Sequence, residues 1–297
     1  MPLLDHAGCR LHHEALGRPD SPPLLLVMGL GLCSLAWDDL PERLSKRFRV
    51  IVFDNRGVGK STAAKGRFST ADLADDAVKV LDAHLVPRAS VFGISMGGMI
   101  AQEIALRHPE RVRALALGAT FASHWRSTKP PLSVARDLLL AGLVSRSPER
   151  MARLLVSDEF FARDRERFAA WMDSMTPPPL SVERRQIAAI VRHEAYRRLK
   201  GLAIPTLVVS GDRDRLVPVE NSRTLARIIP GARYVELPGV GHAFPFERPD
   251  ETARILTEHF LSIPADPGVS AARRSGPAAA TLRREAAQSV ERSITNR

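Results

Sequence analysis

The sequence predicts a doubly wound α/β domain, a mostly parallel sheet with helices on both faces, carrying a helical insertion over one end of the sheet. Three observations predict it. Short, nearly all-apolar runs bounded by Gly, Asp or Pro recur along the chain, as strands buried on both faces require. Stretches of helical period separate them. That alternation lapses across residues 125–200, where no strand-like run appears.

Taken in order, Cys9–Ala15 reads as part of an antiparallel N-terminal hairpin with its turn around Asp5-His6-Ala7-Gly8. The strands that follow are Leu24–Met28, Arg49–Phe53, Ser90–Ile94 and Val112–Leu117. Between them, a helix beginning near Thr70 presents Leu73, Val78 and Leu81. A second, Met99–Arg107, presents Ile100 and Ile104 and is stopped by Pro109. Residues 125–200 are helical in pattern through Leu138-Leu139-Leu140, Met151–Leu155 and Phe160–Trp171, then broken at Pro177-Pro178-Pro179. Strands return at Pro205–Ser210 and Arg233–Leu237, and Thr252–Leu261 closes the core as a helix. The expected organisation is a core of residues 1–124 and 201–264, a helical cap of 125–200, and a flexible basic tail of 265–297. The tail is rich in Ala, Arg and Ser and too poor in apolar residues to join a core.

Composition excludes several classes. At 297 residues, 44 % hydrophobic and 26 % charged, the chain has material for a sizeable buried core. Its two cysteines, Cys9 and Cys33, are too few for a disulfide framework and match no zinc or redox spacing. The start lacks a signal peptide's basic and apolar regions. The longest charge-free stretch, Ser21–Trp37, is short for a membrane span and broken by Pro and Gly. A cytoplasmic protein, with neither a membrane nor a nucleic acid as partner, is expected. The formal charge of +10 concentrates in 125–200, with 15 Lys/Arg against 9 Asp/Glu, and no aromatic interleaving accompanies it.

The chemistry begins at Gly93-Ile94-Ser95-Met96-Gly97, which follows an apolar strand and precedes a helix. A serine at such a sharp turn takes a strained backbone conformation that lifts its hydroxyl clear of the sheet. Side chains two residues either side would clash, so glycine belongs at 93 and 97. Ser95 is the candidate nucleophile. A hydroxyl needs a base to take its proton, and the base needs an orienting carboxylate, in the chain order Ser, Asp or Glu, His. Of the nine histidines, only His242 and His259 follow the strand expected to carry the acid. His242 lies in the glycine-bracketed loop Pro238-Gly239-Val240-Gly241 after a strand, where such sheets place chemistry. His259 falls inside a helical pattern. Asp212 and Asp214 both follow Pro205–Ser210; Asp214 is taken as the catalytic acid and Asp212 as the turn former. The N–H groups of Met96 and of Leu30, in the loop Gly29-Leu30-Gly31, are the candidate oxyanion donors.

These residues together resemble the α/β-hydrolase superfamily over roughly residues 10 to 262. The matching blocks are Val27-Met28-Gly29-Leu30-Gly31, Phe53 to Ser61, Gly93 to Gly98, Gly211 to Pro218, and Gly241-His242 with Glu247-Arg248-Pro249. The Ser95 block with Met99-Ile100-Ala101-Gln102 is similar to small carboxylesterases and 3-oxoadipate enol-lactonase-like hydrolases. Met28 departs from the His that many relatives carry before the glycine. Serine rather than aspartate at 95 speaks against haloalkane dehalogenase and epoxide hydrolase chemistry. The resemblance implies an α/β-hydrolase fold and a serine hydrolase acting through an acyl-enzyme on an ester, lactone or thioester, with no metal or organic cofactor. Related members cleave carbon–carbon bonds with the same set.

Two glycine-rich stretches offer competing chemistry. Gly57-Val58-Gly59-Lys60-Ser61-Thr62 imitates the end of a phosphate-binding loop, but Asp54 stands where a glycine is required. Gly29-Leu30-Gly31 with Asp54 is close to a dinucleotide-binding fingerprint, so a nicotinamide-dependent oxidoreductase is the alternative from another class. It leaves Gly93–Gly98, Asp214 and His242 unexplained. Gly29, Leu138, Phe160 and Trp171 are the candidate pocket residues, suiting a small to medium, moderately apolar substrate. The basic cap favours an acidic one.

Overall fold

The computed structural model describes residues 3–63, 65–143 and 147–264, the side chains of 138–143 and 148 excepted; the expected tail, 265–297, and the side chain of Leu138 lie outside the described residues. The chain opens with a hairpin of β1 (Leu3–His6) and β2 (Cys9–Leu16), followed by β3 (Pro23–Val27), α1 (Leu40–Ser45) and β4 (Arg49–Phe53). Then come α2 (Thr70–Ala83), β5 (Ala89–Ile94), α3 (Met96–Arg107) and β6 (Val112–Gly118). Among the described residues, six helices succeed one another without a strand: α4 (Leu132–Leu143), α5 (Pro148–Leu155), α6 (Asp158–Arg163), α7 (Arg165–Asp173), α8 (Leu180–Arg192) and α9 (Tyr196–Leu199). The strands resume at β7 (Thr206–Gly211), with α10 (Glu220–Ile228), β8 (Arg233–Leu237), α11 (Phe244–Glu247) and α12 (Pro249–Ser262).

The eight strands form one sheet in the order β1-β2-β4-β3-β5-β6-β7-β8. β1 and β2 pair antiparallel, as do β2 and β4; every later pairing is parallel. The hairpin turns at Ala7-Gly8, one residue beyond the centre of the expected turn, because both take positive φ, 47° and 75°, as a two-residue turn between right-twisted strands demands. Leu24 through Val27 are fully buried in succession. The cause is that both sheet faces are covered. On one, α2, α3 and α10 supply Leu73, Leu81, Ile100, Ile104 and Leu225 to a core shared with Leu25, Val27, Ile51 and Val91. On the other, Phe92 meets Trp37 and Phe244, and Phe48 meets Phe260 edge to face.

The helix after the Ser95 motif begins at Met96, not at Met99. Two glycines in its first turn argue against helix by propensity alone. Packing overrides this: a Cβ on Gly97 would stand 2.0 Å from the Val27 carbonyl oxygen, so only glycine lets the helix start so close to β3. α1 and α10 are short amphipathic helices that the sequence pattern did not separate from loop.

Candidate active site

Ser95 occupies the turn between β5 and α3 with φ 57° and ψ −124°, a left-handed conformation that costs a non-glycine residue on the order of 1–3 kcal/mol. Tertiary bonds hold it there. Ser95 N–H donates to the Gly118 carbonyl at 2.9 Å, and the Thr120 hydroxyl donates to the Ser95 carbonyl at 2.7 Å. Gly93 and Gly97 allow the tight crossing: a Cβ on Gly93 would lie 2.1 Å from the Gly97 carbonyl oxygen. Ser95 is half-buried while its immediate neighbours are buried. The Met96 N–H is at the first position of α3, where the helix supplies no acceptor and its dipole end is positive.

His242 and Asp214 meet across the ends of β7 and β8. Nδ1 of His242 lies 2.8 Å from Oδ2 of Asp214, both residues buried. A carboxylate only accepts, so Nδ1 is the donor of this bond, which leaves Nε2 as the basic nitrogen of the neutral imidazole. The other oxygen of Asp214, Oδ1, accepts the N–H groups of Leu216 (2.9 Å) and Val217 (2.8 Å), which fixes the carboxylate without drawing Oδ2 from the imidazole. Asp212 instead accepts Gly239 N–H at 2.7 Å and braces the loop that follows β8. His259 is buried, with Nε2 donating to the Leu115 carbonyl at 3.0 Å.

A cavity of about 320 Å³ is walled by Ser95, His242, Gly29, Leu30 and Trp171 together with other mostly apolar side chains. Gly29 approaches the candidate nucleophile so closely that a Cβ there would lie 3.1 Å from that of Ser95. Trp171 is fixed by stacking on Phe246 at 4.3 Å and by donating Nε1–H to the Ala36 carbonyl at 3.2 Å. Phe160, expected in the pocket, is not on the cavity wall. It packs against the edge of Phe246 at 5.3 Å, behind the wall, because the turn of α6 directs it toward the core.

Three buried side chains that sequence reasoning passed over brace this site. Glu247 accepts Gly241 N–H at 2.7 Å, Ser157 N–H at 3.1 Å and the Ser157 hydroxyl at 2.7 Å, tying the His242 loop to the first turn of α6. Burial pushes its carboxyl above the ordinary glutamate range, and these bonds pull it back. Asn55 Nδ2 donates to the Met28 carbonyl at 3.0 Å, and Gly31 N–H donates to Gln186 Oε1 at 2.9 Å. The only sequence signal was the position of Glu247, five residues after His242; partners 27 to 155 residues apart leave none.

Asp54 is turned inward. Its Oδ1 accepts Ser34 N–H at 2.7 Å and its Oδ2 accepts Lys60 N–H at 2.9 Å, with the residue 2 % exposed. The carboxylate therefore joins the two glycine-rich loops to each other, and the geometry does not offer it to a ribose as the oxidoreductase alternative requires.

The sequence model of the α/β-hydrolase fold family matches residues 22–249, so the chain belongs to that family. It is 32 % identical to a protein of Azorhizobium caulinodans named as carbamate hydrolase RutD, over 84 % of this chain and 94 % of that one. Among solved structures it is similar to an enol-lactonase from Burkholderia xenovorans LB400, with a TM-score of 0.78 and 28 % identity over 88 % of this chain and 100 % of that one. It is similar also to a thermophilic esterase from Thermogutta terrifontis in a malate-bound structure, with a TM-score of 0.74 and 26 % identity over 86 % and 94 % of the two chains.

Proposed function

Starting from membership of the α/β-hydrolase family, we propose that the chain is a serine hydrolase cleaving a carboxylic ester, lactone or thioester through an acyl-enzyme. The observation that carries this reading is the His242–Asp214 pair, held with Nε2 free to act as a base, beside a cavity that it shares with Ser95 at its strained turn. In the proposed reaction His242 Nε2 takes the Ser95 proton as Oγ attacks the carbonyl carbon. Asp214 holds the imidazole tautomer and stabilises the imidazolium. The N–H groups of Met96 and Leu30 receive the oxyanion. His242 returns the proton to the leaving oxygen or sulfur, and water, deprotonated by the same nitrogen, then releases the acid and regenerates Ser95.

The cavity supports a small to medium, moderately apolar substrate. The enol-lactonase and esterase among the similar structures favour an oxygen ester. The test is covalent labelling by a fluorophosphonate. The wild-type protein is expected to take one equivalent on Ser95, found by peptide mass, and Ser95→Ala to take none. Stoichiometric labelling of Ser95→Ala would overturn the reading.

A further inference from the structure

The segment from Met28 to Gly31 runs from the end of β3 past Ser95 and contains Leu30, the oxyanion donor of the proposed reaction. Two side chains hold its ends. Asn55 Nδ2 donates to the Met28 carbonyl, and Oε1 of Gln186, from the middle of α8, accepts Gly31 N–H at 2.9 Å. The segment contains two glycines, Gly29 between these points and Gly31 at the second of them. Gly31 has φ +67°, and Gly29 sits so close to Ser95 that a side chain there would be in contact with it. Such a segment has little stiffness of its own.

Gln186 is fully buried, and its Nε2 has no hydrogen-bond partner among the described residues. The same is true of Asn55 Oδ1. An unsatisfied buried amide atom is costly, and an apolar residue of the same shape would avoid that cost at both positions. What each amide does is hold one peptide group of the Met28–Gly31 segment. The neighbours of Gln186 on α8, Glu183, Ile187 and Ile190, line the cavity, so the helix that forms part of the substrate wall also holds the loop.

We propose that Gln186 is a positioning residue: by accepting Gly31 N–H it holds the Gly29–Gly31 loop against Ser95 and aims the Leu30 N–H at the oxyanion, so that seating α8 and completing the oxyanion site are one event. This rests on the serine-hydrolase reading above. Without the tether the loop is free to move about its two glycines, and the Leu30 N–H loses its alignment. Substrate binding, which depends on the apolar wall, is largely unaffected.

The experiment compares wild type, Gln186→Leu and Gln186→Glu on one chromogenic ester. Binding of a trifluoromethyl ketone, which forms a tetrahedral oxyanion on serine, is measured beside that of the product carboxylic acid. Gln186→Leu is expected to lower kcat on the order of 10–100-fold, less than the full loss of an oxyanion donor, with KM within about threefold. Its affinity for the ketone falls in parallel and that for the product acid does not. Gln186→Glu, which keeps an acceptor at the same reach, recovers most of kcat. Should the leucine variant fail to fold, Gln186→Met removes the acceptor at similar length and is read in the same way. An unchanged kcat, a rise in KM alone, or equal weakening of ketone and product acid would overturn the assignment. The underlying reading is tested apart from it: hydrolysis that persists in Ser95→Ala sinks that reading, whereas Ser95-dependent hydrolysis indifferent to Gln186 sinks only this one.

Discussion

Ser95, Asp214 and Lys129 are each defined by what their neighbours leave them to do. The strain at Ser95 is balanced by its bonds with Gly118 and Thr120, so the hydroxyl's exposure is a property of two strands' ends and not of the serine. Asp214 differs from Asp212 in having one oxygen occupied by its own loop and the other left for an imidazole. Lys129, at the mouth of the cavity, donates to the Ser127 hydroxyl at 2.9 Å and to the His124 carbonyl. Partial burial pushes its ammonium below the ordinary lysine range, and among the described residues no carboxylate pairs with it. An ester with an anionic group remote from its carbonyl would supply that partner. In a panel of neutral and anionic esters of equal length, the anionic ones are expected to show the higher kcat/KM. Lys129→Met is expected to remove that advantage, about a fivefold effect for one exposed ion pair. A preference for neutral esters would sink the idea.

At the scale of elements, the junction of α5 and α6 is fastened to the His242 loop by four bonds. Three converge on Glu247, and the fourth runs from Ala243 N–H to the Leu155 carbonyl at 2.6 Å. Ser157 serves twice there: its hydroxyl caps α6 by accepting Phe160 N–H at 3.2 Å while donating to Glu247. Ser157→Ala is expected to cost about 2–3 kcal/mol, the cap together with a charged hydrogen bond. It should also lower kcat about tenfold by loosening the His242 loop. Ser147 caps α5 away from that loop and provides the control. Ser147→Ala should lower the melting temperature and leave kcat alone; equal kcat losses in both variants would remove the loop from the explanation. The sequence displayed α6 only as apolar periodicity. Serine three residues before Phe160 is visible as a possible cap, but that its hydroxyl meets a glutamate 90 residues later is a consequence of folding.

For the whole molecule, the half-buried His84 and the buried His193 set the acid limit. Burial, and then the neighbouring His13 and Arg49, push His84 down to about 4. His193, deeply buried between Thr70 and Gln102, is likewise pushed down to about 4, chiefly by burial. In the unfolded chain both titrate near 6.5. Their contribution to stability is therefore complete above pH 6.5 and is lost as pH falls through about 4. Glu247, raised by burial, has the opposite sign: its contribution is present below its unfolded value near 4.5 and declines as pH rises. The melting temperature is expected to fall between pH 6.5 and 4, and His193→Gln to flatten that slope. Calorimetry showing no slope in the wild-type protein would contradict this. No helix among the described residues is long and apolar enough to cross a membrane.

The sequence by itself determined the order of the strands, the long helices between them and the turn that carries Ser95, because alternation, buried apolar runs and obligatory glycines are local signals. Chain order left His242 and His259 of the nine histidines as candidate bases, and the helical pattern around His259 left His242. Only the tertiary structure decided which oxygen of Asp214 faces the imidazole, that Phe160 stands behind the cavity wall rather than on it, and that Asp54 binds two loops together. Only it brought Gln186 to Gly31 and Glu247 to Ser157. Most of those are contacts between residues far apart in the chain. Such contacts leave no periodicity and no spacing for a sequence to display.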